Sequence, residues 1–476
     1  MLSTTTDANS RVLTYSYDGL DRLSSVAETA GTTSYGYDAA SNETGITNAN
    51  GTTVTQVYDD AGQLTSVTNK SGAGTVLSSF SYVYDTDSRR KTCTEASGDV
   101  VTYGYDWGSR LTTESRTGTN AYSLSYVLDG VGNRTSQTKG TATTTFTLDS
   151  DDQLNSTSSS TGGFVNSYTY NANGEQTGRT LSGTAYTVAF DYDGRLTSIT
   201  QGANVTSFTY DGLDRRLSRT SGGTTTNFLF DDDEILLEKQ GTTTSAAYTY
   251  GNTLVRKDGE TPLFDALGSE RTVTSSTQAV TGTLTLDGFG NQVASTGSST
   301  SPYMFGATSG YRNDGNAGLT QAGARYYDAQ VGRFISRDTK LDEHSYLYCD
   351  HDPVNNSDLD GHQKSGKPGK GGKPGKGGKP GKGGKVPPQK IPYPPGWPKT
   401  VTVDFGTPKV TTEIGGGIDL KAGHGDIKRK TETGGPDKKT FPAAKRWNRI
   451  PAVDQQRIKG SFKAFQDYVK RVEGGH

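Results

Sequence analysis

An aromatic–x–aromatic/aliphatic–Asp tetrad recurs down this chain, and nothing else in the sequence restricts the fold as strongly. Copies end at Asp18, Asp38, Asp59, Asp85, Asp106, Asp129, Asp149, Asn171, Asp193, Asp211 and Asp231, at intervals of 18 to 26 residues. Many run on through a glycine into an Arg/Gln-Leu-Thr-Ser type run, as in DGLDRLSSV from Asp18 and DGRLTSIT from Asp193. Tyr-x-Tyr sets two aromatics on one face of a strand, where they stack against neighbouring strands. Aspartate then makes the turn, because its carboxylate accepts a local backbone N–H and a following glycine tolerates positive φ. The Leu-Thr-Ser-Val run is the returning strand. Each unit is one hairpin with too little apolar surface to stand alone, so neighbours must stack. The aspartates are thereby read as turn formers and not as catalytic groups.

Composition supports an all-β chain with thin cores. Only 30% of residues are hydrophobic, which taken alone suggests disorder, but 26 tyrosines and short Thr/Tyr/Val/Phe alternations suit sheets with one wetted face. The net charge of −2 hides a split. Residues up to His362 hold 24 Lys and Arg against 42 Asp and Glu; those beyond hold 25 against 9. The basic part suits a polyanion or the acidic first part itself, and half of its charge is read equally well as a solvated linker. Cys93 and Cys349 form no motif, which excludes a disulfide framework. The N-terminus lacks the apolar core of a signal peptide, and no run approaches a membrane span. Either export follows a route this chain does not show or the chain is part of a longer product.

After Asp231 the repeats loosen and a second pattern takes over. It reads PLFDALGSERTVT from Pro262, LDGFGNQVAS from Leu286, GYRNDGNAGLTQAGARYYDAQVGRFISRD from Gly310 to Asp338, and YLYCDHDPVNNSDLDGH from Tyr346 to His362.

Together these residues resemble the YD-repeat (Rhs) family, which includes bacterial polymorphic toxins, C subunits of insecticidal toxin complexes, wall-associated proteins and teneurins. The second pattern looks like the Rhs repeat-associated core. The resemblance implies a mainly β fold: a YD-repeat β-hairpin spiral forming a shell, then a flexible linker and a small α+β C-terminal domain. Its expected divisions are repeats over 1–260, core module over 261–362, linker over 363–385 and a variable cationic domain over 386–476. In self-cleaving members the core module plugs the shell and cuts the chain after it, using an Arg and two Asp residues that correspond by position to Arg325, Asp338 and Asp358. Two carboxylates in a poorly solvated cavity do not both ionise, so one remains an acid while the other activates water, and a guanidinium tunes the pair or orients the scissile carbonyl. Cleavage is expected at His362–Gln363. Here Leu359 stands in place of the usual Pro, His362 in place of an apolar residue, Thr339 follows Asp338, and His351-Asp352 replaces Asn-Asn. Asp350, Asp352, Asp358 and Asp360 crowd one loop, which leaves open which pair acts and whether the plug is cut at all.

GKPGKGGKPGKGGKPGKGG from Gly366 to Gly384 has glycine at every third position, a collagen-like register, yet its brevity and lysine density favour an extended cationic spacer. The remainder opens proline-rich. TVTVDF and KVTTEI read as strands, and Ala452 to Glu473 as an amphipathic helix with its aromatics in a core. Between them Glu413, Asp419 and Asp426 surround His424, with Lys421 two residues beyond Asp419. Such carboxylates can hold a divalent metal with the ammonium near a phosphate, or His424 can act as general base on a nucleic-acid phosphate. A glycine-rich turn with surface charges explains the same residues.

Two functions follow. One is an Rhs-type toxin or a fragment of one, in which the shell carries its own C-terminal domain as cargo. That cargo would be an effector such as a nuclease, released by aspartyl autoproteolysis and matched by a companion shell or an immunity protein. The other is a non-enzymatic surface protein whose repeats bind glycans or partner proteins. The resemblance implies a secreted or cell-surface location and no cofactor for the shell.

Overall fold

The computed structural model describes residues 2–362 apart from 164, 298, 300, 316 and 341–343, then 365–366 and the strands Thr400–Val403, Val410–Glu413 and Ile427–Arg429. It divides into two units, Met1–Gly378 and Lys379–His476. In the first, a 25-stranded antiparallel sheet runs from Leu2–Thr6 to Leu254–Lys257. It is a meander, each strand pairing with the next in sequence.

The repeat motif is legible in one turn. Asp106 N–H donates to the Arg110 carbonyl and Ser109 N–H to the Asp106 carbonyl, both at 3.0 Å. Asp106 Oδ1 accepts the amides of Gly108 and Arg110, each at 2.9 Å, and Oδ2 accepts Arg110 Nε at 2.6 Å. The register slips by one residue just before the aspartate, between Gly104 and Tyr105. This is a type I turn closed by a left-handed residue, the three-residue hairpin loop with a bulge. The left-handed position is three residues past the aspartate (Ser109 at φ 62°, Gly62 at φ 71°), and not the glycine directly after it. The role expected for that glycine therefore belongs elsewhere in the turn. In one repeat the motif also shifts. Asp191, and not Asp193, receives the turn amides of Asp193 and Arg195, so its spacing to Asn171 and to Asp211 is 20 residues on either side.

In several repeats the tyrosine that precedes the aspartate joins neighbouring hairpins. Tyr37, Tyr84, Tyr105 and Tyr210 donate their hydroxyls to the carbonyls of Leu23, Leu64, Arg90 and Leu196 in the preceding unit, at 2.7–2.8 Å. Where the residue four past the aspartate is an arginine it can lie over the next unit's ring, as Arg22 does over Tyr37 at 4.5 Å and Arg89 over Tyr105 at 4.9 Å. These tyrosines thus meet arginine and backbone, where ring–ring stacking between strands had been expected; the cation–π contact and the hydroxyl bond use both ends of the side chain.

The hairpins do not loosen after Asp231. Asp265 and Asp287 build the same turn, in a four-stranded sheet of Thr261–Phe264, Glu270–Thr274, Val280–Leu286 and Gln292–Gly297. This second winding lies along the first. Arg271 pairs with Glu95 at 2.7 Å, and Gly288 N–H with Glu114 at 3.0 Å. Inside it, Arg312–Asn313, Leu319–Ala322, Arg325–Asp328 and Arg333–Phe334 form a small sheet. The aromatics on its strands and loops, among them Tyr311, Tyr327, Phe334 and Tyr348, make their own core. The shell's inward face packs on this module, Phe208 and Leu196 against Tyr326 and Ile335, and Leu111 and Tyr126 against Val354 together with Phe289 of the second winding. Strand alternation explains the division: Tyr126 is 5% exposed and its neighbour Val127 58%.

In the second unit three strands form one antiparallel sheet, Thr400–Val403 lying between Val410–Glu413 and Ile427–Arg429. The two strands read from TVTVDF and KVTTEI are present. Asp419, Lys421, His424, Asp426 and the helix expected over 452–473 lie outside the described residues, as does most of the spacer.

Candidate functional site at the end of the shell

Arg325 begins a strand whose pair, Leu319–Ala322, turns back through Gly323. A Cβ on Gly323 would collide with the backbone of Asp360, and one on Gly361 (φ 74°) with the backbone of Ala322, Ala324 and Arg325. Two glycines therefore permit the segment 360–362 to lie backbone against backbone on this hairpin, fixed by Ala324 N–H donating to the Asp360 carbonyl at 3.0 Å.

On this support Arg325, Asp338 and Asp358 converge, each nearly excluded from solvent. Arg325 Nη2 lies 2.7 Å from Asp338 Oδ2 and 3.5 Å from Asp358 Oδ2. The closer pair meets in charge without hydrogen-bond alignment. The guanidinium packs over the Phe334 ring at 3.6 Å, its Nη1 reaches the Ser345 carbonyl at 3.3 Å, and its Nε donates to the Gly361 carbonyl. Burial lowers the Arg325 pKa, against the pull of Asp338 and Asp358. Asp338 is also penalised by burial, but the His362 hydrogen bond and the Arg325 charge outweigh that penalty and hold its carboxyl below the ordinary value.

His362 enters in a role the sequence did not suggest. Its Nδ1 lies 3.1 Å from Asp338 Oδ1, and its backbone N–H donates to Asp358 Oδ1 at 3.0 Å and Asp360 Oδ1 at 2.9 Å. Tyr311 is a second addition: its hydroxyl accepts the Asp358 N–H at 2.9 Å and donates to the Asp358 carbonyl at 2.6 Å. Only its place in the GYRND run marked it, and nothing there signals a contact 47 residues away. Among the four crowded aspartates, Asp352 is directed to Asn355 and Asn356, at 2.8 and 2.9 Å. Asp358 and Asp360 are the two that meet the Arg325 end, Asp360 also pairing with Lys340 at 3.4 Å. Gln363 lies outside the described residues.

A buried base held ionised, a second carboxylate on an amide N–H and a guanidinium on a carbonyl oxygen are the parts that peptide hydrolysis requires. Among the described residues no cluster of metal-ligating side chains occurs, and no helix is long and apolar enough to cross a membrane.

Comparison with known proteins places the scaffold. The teneurin YD-shell profile matches residues 75–353, and the RHS repeat profile matches 1–33 and 37–76. No curated protein matches the chain. Among solved structures, the Tc holotoxin pore of Photorhabdus luminescens, carrying an aspartate-to-alanine mutation in TccC3, aligns with TM-score 0.58 and 16% identity over 76% of this chain and 21% of its own. The TcdB2-TccC3-TEV crystal structure aligns with TM-score 0.57 and 17% identity over 75% and 21%. The chain spans about a fifth of the length of these proteins, and at such identity the likeness is one of fold. With a profile that covers more than half of the sequence and falls on the strands, turns and inner module just described, the chain belongs to the teneurin YD-shell family.

Proposed function

We propose that residues 2–362 are the carrier shell of a toxin of the Rhs or toxin-complex type, that the inner module cuts the chain beside His362, and that the cationic tail is the released cargo. The observation that supports this reading is the convergence of Arg325, Asp338 and Asp358 on residues 361–362, Arg325 and Asp358 on the backbone and Asp338 on the His362 imidazole, where the acidic shell gives way to the basic tail. Asp338 takes a proton from water, which attacks the carbonyl carbon; the second carboxyl, in its acid form, protonates the leaving nitrogen, and Arg325 stabilises the oxyanion. The excess of 25 basic over 9 acidic residues beyond His362 supports a nucleic acid as the target of the cargo. The solved Tc structures, which pair TccC3 with TcdB2, support a companion chain in the complete particle.

Intact-mass measurement of the full chain tests this. Wild type is expected as two fragments, and Asp338→Asn or Asp358→Asn as one chain with unchanged circular dichroism. A wild-type chain that stays whole sinks the proposal. Growth arrest on expressing residues 386–476, relieved by a companion gene, is the expected behaviour of the cargo; harmless expression together with glycan binding by the shell would favour a surface protein.

A further inference from the structure

The second winding holds a cavity of about 200 Å³, set apart from the Arg325 end of the inner module and lined by its four-stranded sheet together with Ser299 and Met304. Strand alternation decides what faces it. Arg271 turns to the first winding, its guanidinium over the Phe80 ring at 4.7 Å, so its neighbours Glu270 and Thr272 lie on the opposite face. Thr272 pairs with Thr283 and Thr283 with Thr296, which extends that face into a row of three threonines. Glu270 and Thr272 are buried at the floor. Thr283 and Thr296 are exposed at the mouth, their hydroxyls 2.6 Å apart.

Glu270 gives the cavity its chemistry. The residue is 1% exposed, its N–H is fixed to the Met304 carbonyl at 2.8 Å, and its Oε2 has no hydrogen-bond partner among the described residues. A buried carboxylate oxygen left without a donor costs free energy that a ligand can recover. Burial pushes the Glu270 carboxyl up to about 7, with Glu260 adding to the rise and the Ser299 and Ser301 hydroxyls and Lys257 opposing it. Arg271 does not neutralise it, being committed to Glu95 and Asp265. The threonine hydroxyls beside it can each donate and accept.

A bare divalent ion would need several oxygen or nitrogen ligands from the wall, and among the described residues no such cluster occurs. The volume exceeds the roughly 30 Å³ of one water several-fold, enough for a small organic group. A cation with several N–H donors on a short apolar stem matches the lining: one donor for Oε2, others for threonine hydroxyls, and the stem against Met304. We propose that this cavity binds a primary alkylammonium group, with its nitrogen on Glu270. A free amine and the side chain of a lysine in a peptide share that chemistry, and the test separates them.

The full chain is titrated calorimetrically with n-butylammonium chloride at about pH 8.5, above the Glu270 value and below the ordinary amine pKa of about 10.4. One saturable site is expected. Glu270→Gln keeps the shape and removes the charge, and should weaken binding by roughly 10-fold or more. Thr283→Ile fills the space from the exposed mouth, where folding is not at stake, and should abolish binding; it decides the matter if Glu270→Gln does not fold. Absence of a saturable site, or an affinity unchanged in the variants that fold, overturns the inference. So does n-butanol binding as tightly as n-butylammonium, which would make the cavity merely apolar. With the site present, displacement of the amine by acetyl-Gly-Lys-Gly-amide supports a lysine side chain as the natural occupant, and no displacement supports a free amine.

Discussion

Asp106 shows what the aspartate of the repeat contributes. Its Oδ1 serves two turn amides and its Oδ2 an arginine, so burial, which alone would raise its pKa, is outweighed and the carboxyl sits below the ordinary value. Asp106→Ala leaves those amides to water and is expected to cost about 1–2 kcal/mol, read as a shift in the urea midpoint. Asp106→Asn keeps an Oδ1 acceptor, as Asn171 does naturally for the amides of Asn173 and Glu175 at 3.0 Å, and should retain most of the stability. Equal losses in both variants would show that the ion pair with Arg110, and not the backbone acceptor, holds the turn. The sequence made the aspartate visible and its partner only half so. Arg appeared in the motif without a role, because a pair four residues apart across a turn is indistinguishable in sequence from a solvated surface charge.

A hairpin is stabilised less by its own strands than by the residue that starts the return. Leu111, five past Asp106, is fully buried with Leu124, Tyr126, Phe289 and Val354, so it joins two repeats to the second winding and to the inner module. Leu111→Ala is expected to cost about 2–5 kcal/mol, against little for Val127→Ala on the outward face. Comparable losses at the two positions would contradict the assignment of faces. Strand existence was readable from the recurring tetrad, and facing from the period of two in outgoing strands such as Tyr122–Leu128; returning strands such as Leu23–Glu28 bury every third residue instead. Tertiary contacts decided the rest. FDYDG offers two aspartates, and only the bulge before Asp191 selects one. Asp265 and Asp287 were hidden as repeats because PLFD and LTLD begin the tetrad with Pro and Leu where most copies have Tyr or Phe, although the turn geometry persists. At the site, Arg325, Asp338 and Asp358 came from resemblance alone. His362 as partner of Asp338 depends on an approach across 24 residues that no local pattern encodes.

Across the whole shell, carboxylates of the first winding receive groups of the second, and two of them titrate in opposite senses. Glu95 lies between Arg116 and Arg271, each at 2.7 Å; burial opposes ionisation there, but the two guanidinium groups prevail and lower its pKa. Glu114 has no cation within its set of contacts: it accepts the Gly288 N–H and the Tyr122 hydroxyl, and burial, then the charge of Asp287, raise its pKa. A lowered carboxylate stabilises the fold above its unfolded pKa of about 4.3, and that contribution is lost as pH falls through the folded value. A raised one favours the protonated fold, so stability is fully present below about 4.3 and declines as pH climbs from there toward the folded value. The contact between windings should therefore be strongest in the mildly acidic range and weaken on both sides. Glu114→Gln keeps an acceptor for Gly288 and Tyr122 but cannot ionise. Urea midpoints measured from about pH 5 to 8 should fall for wild type and run flatter for Glu114→Gln, with hydrogen exchange at 287–291 slowed at the upper end. Glu95→Gln should instead lower stability at every pH above about 4.3 and weaken the acid-side loss, because it leaves Arg116 without one carboxylate and Arg271 with Asp265 alone. Parallel slopes for wild type and Glu114→Gln would mean that the windings are held by packing alone and that this buried carboxyl titrates no differently in the unfolded chain.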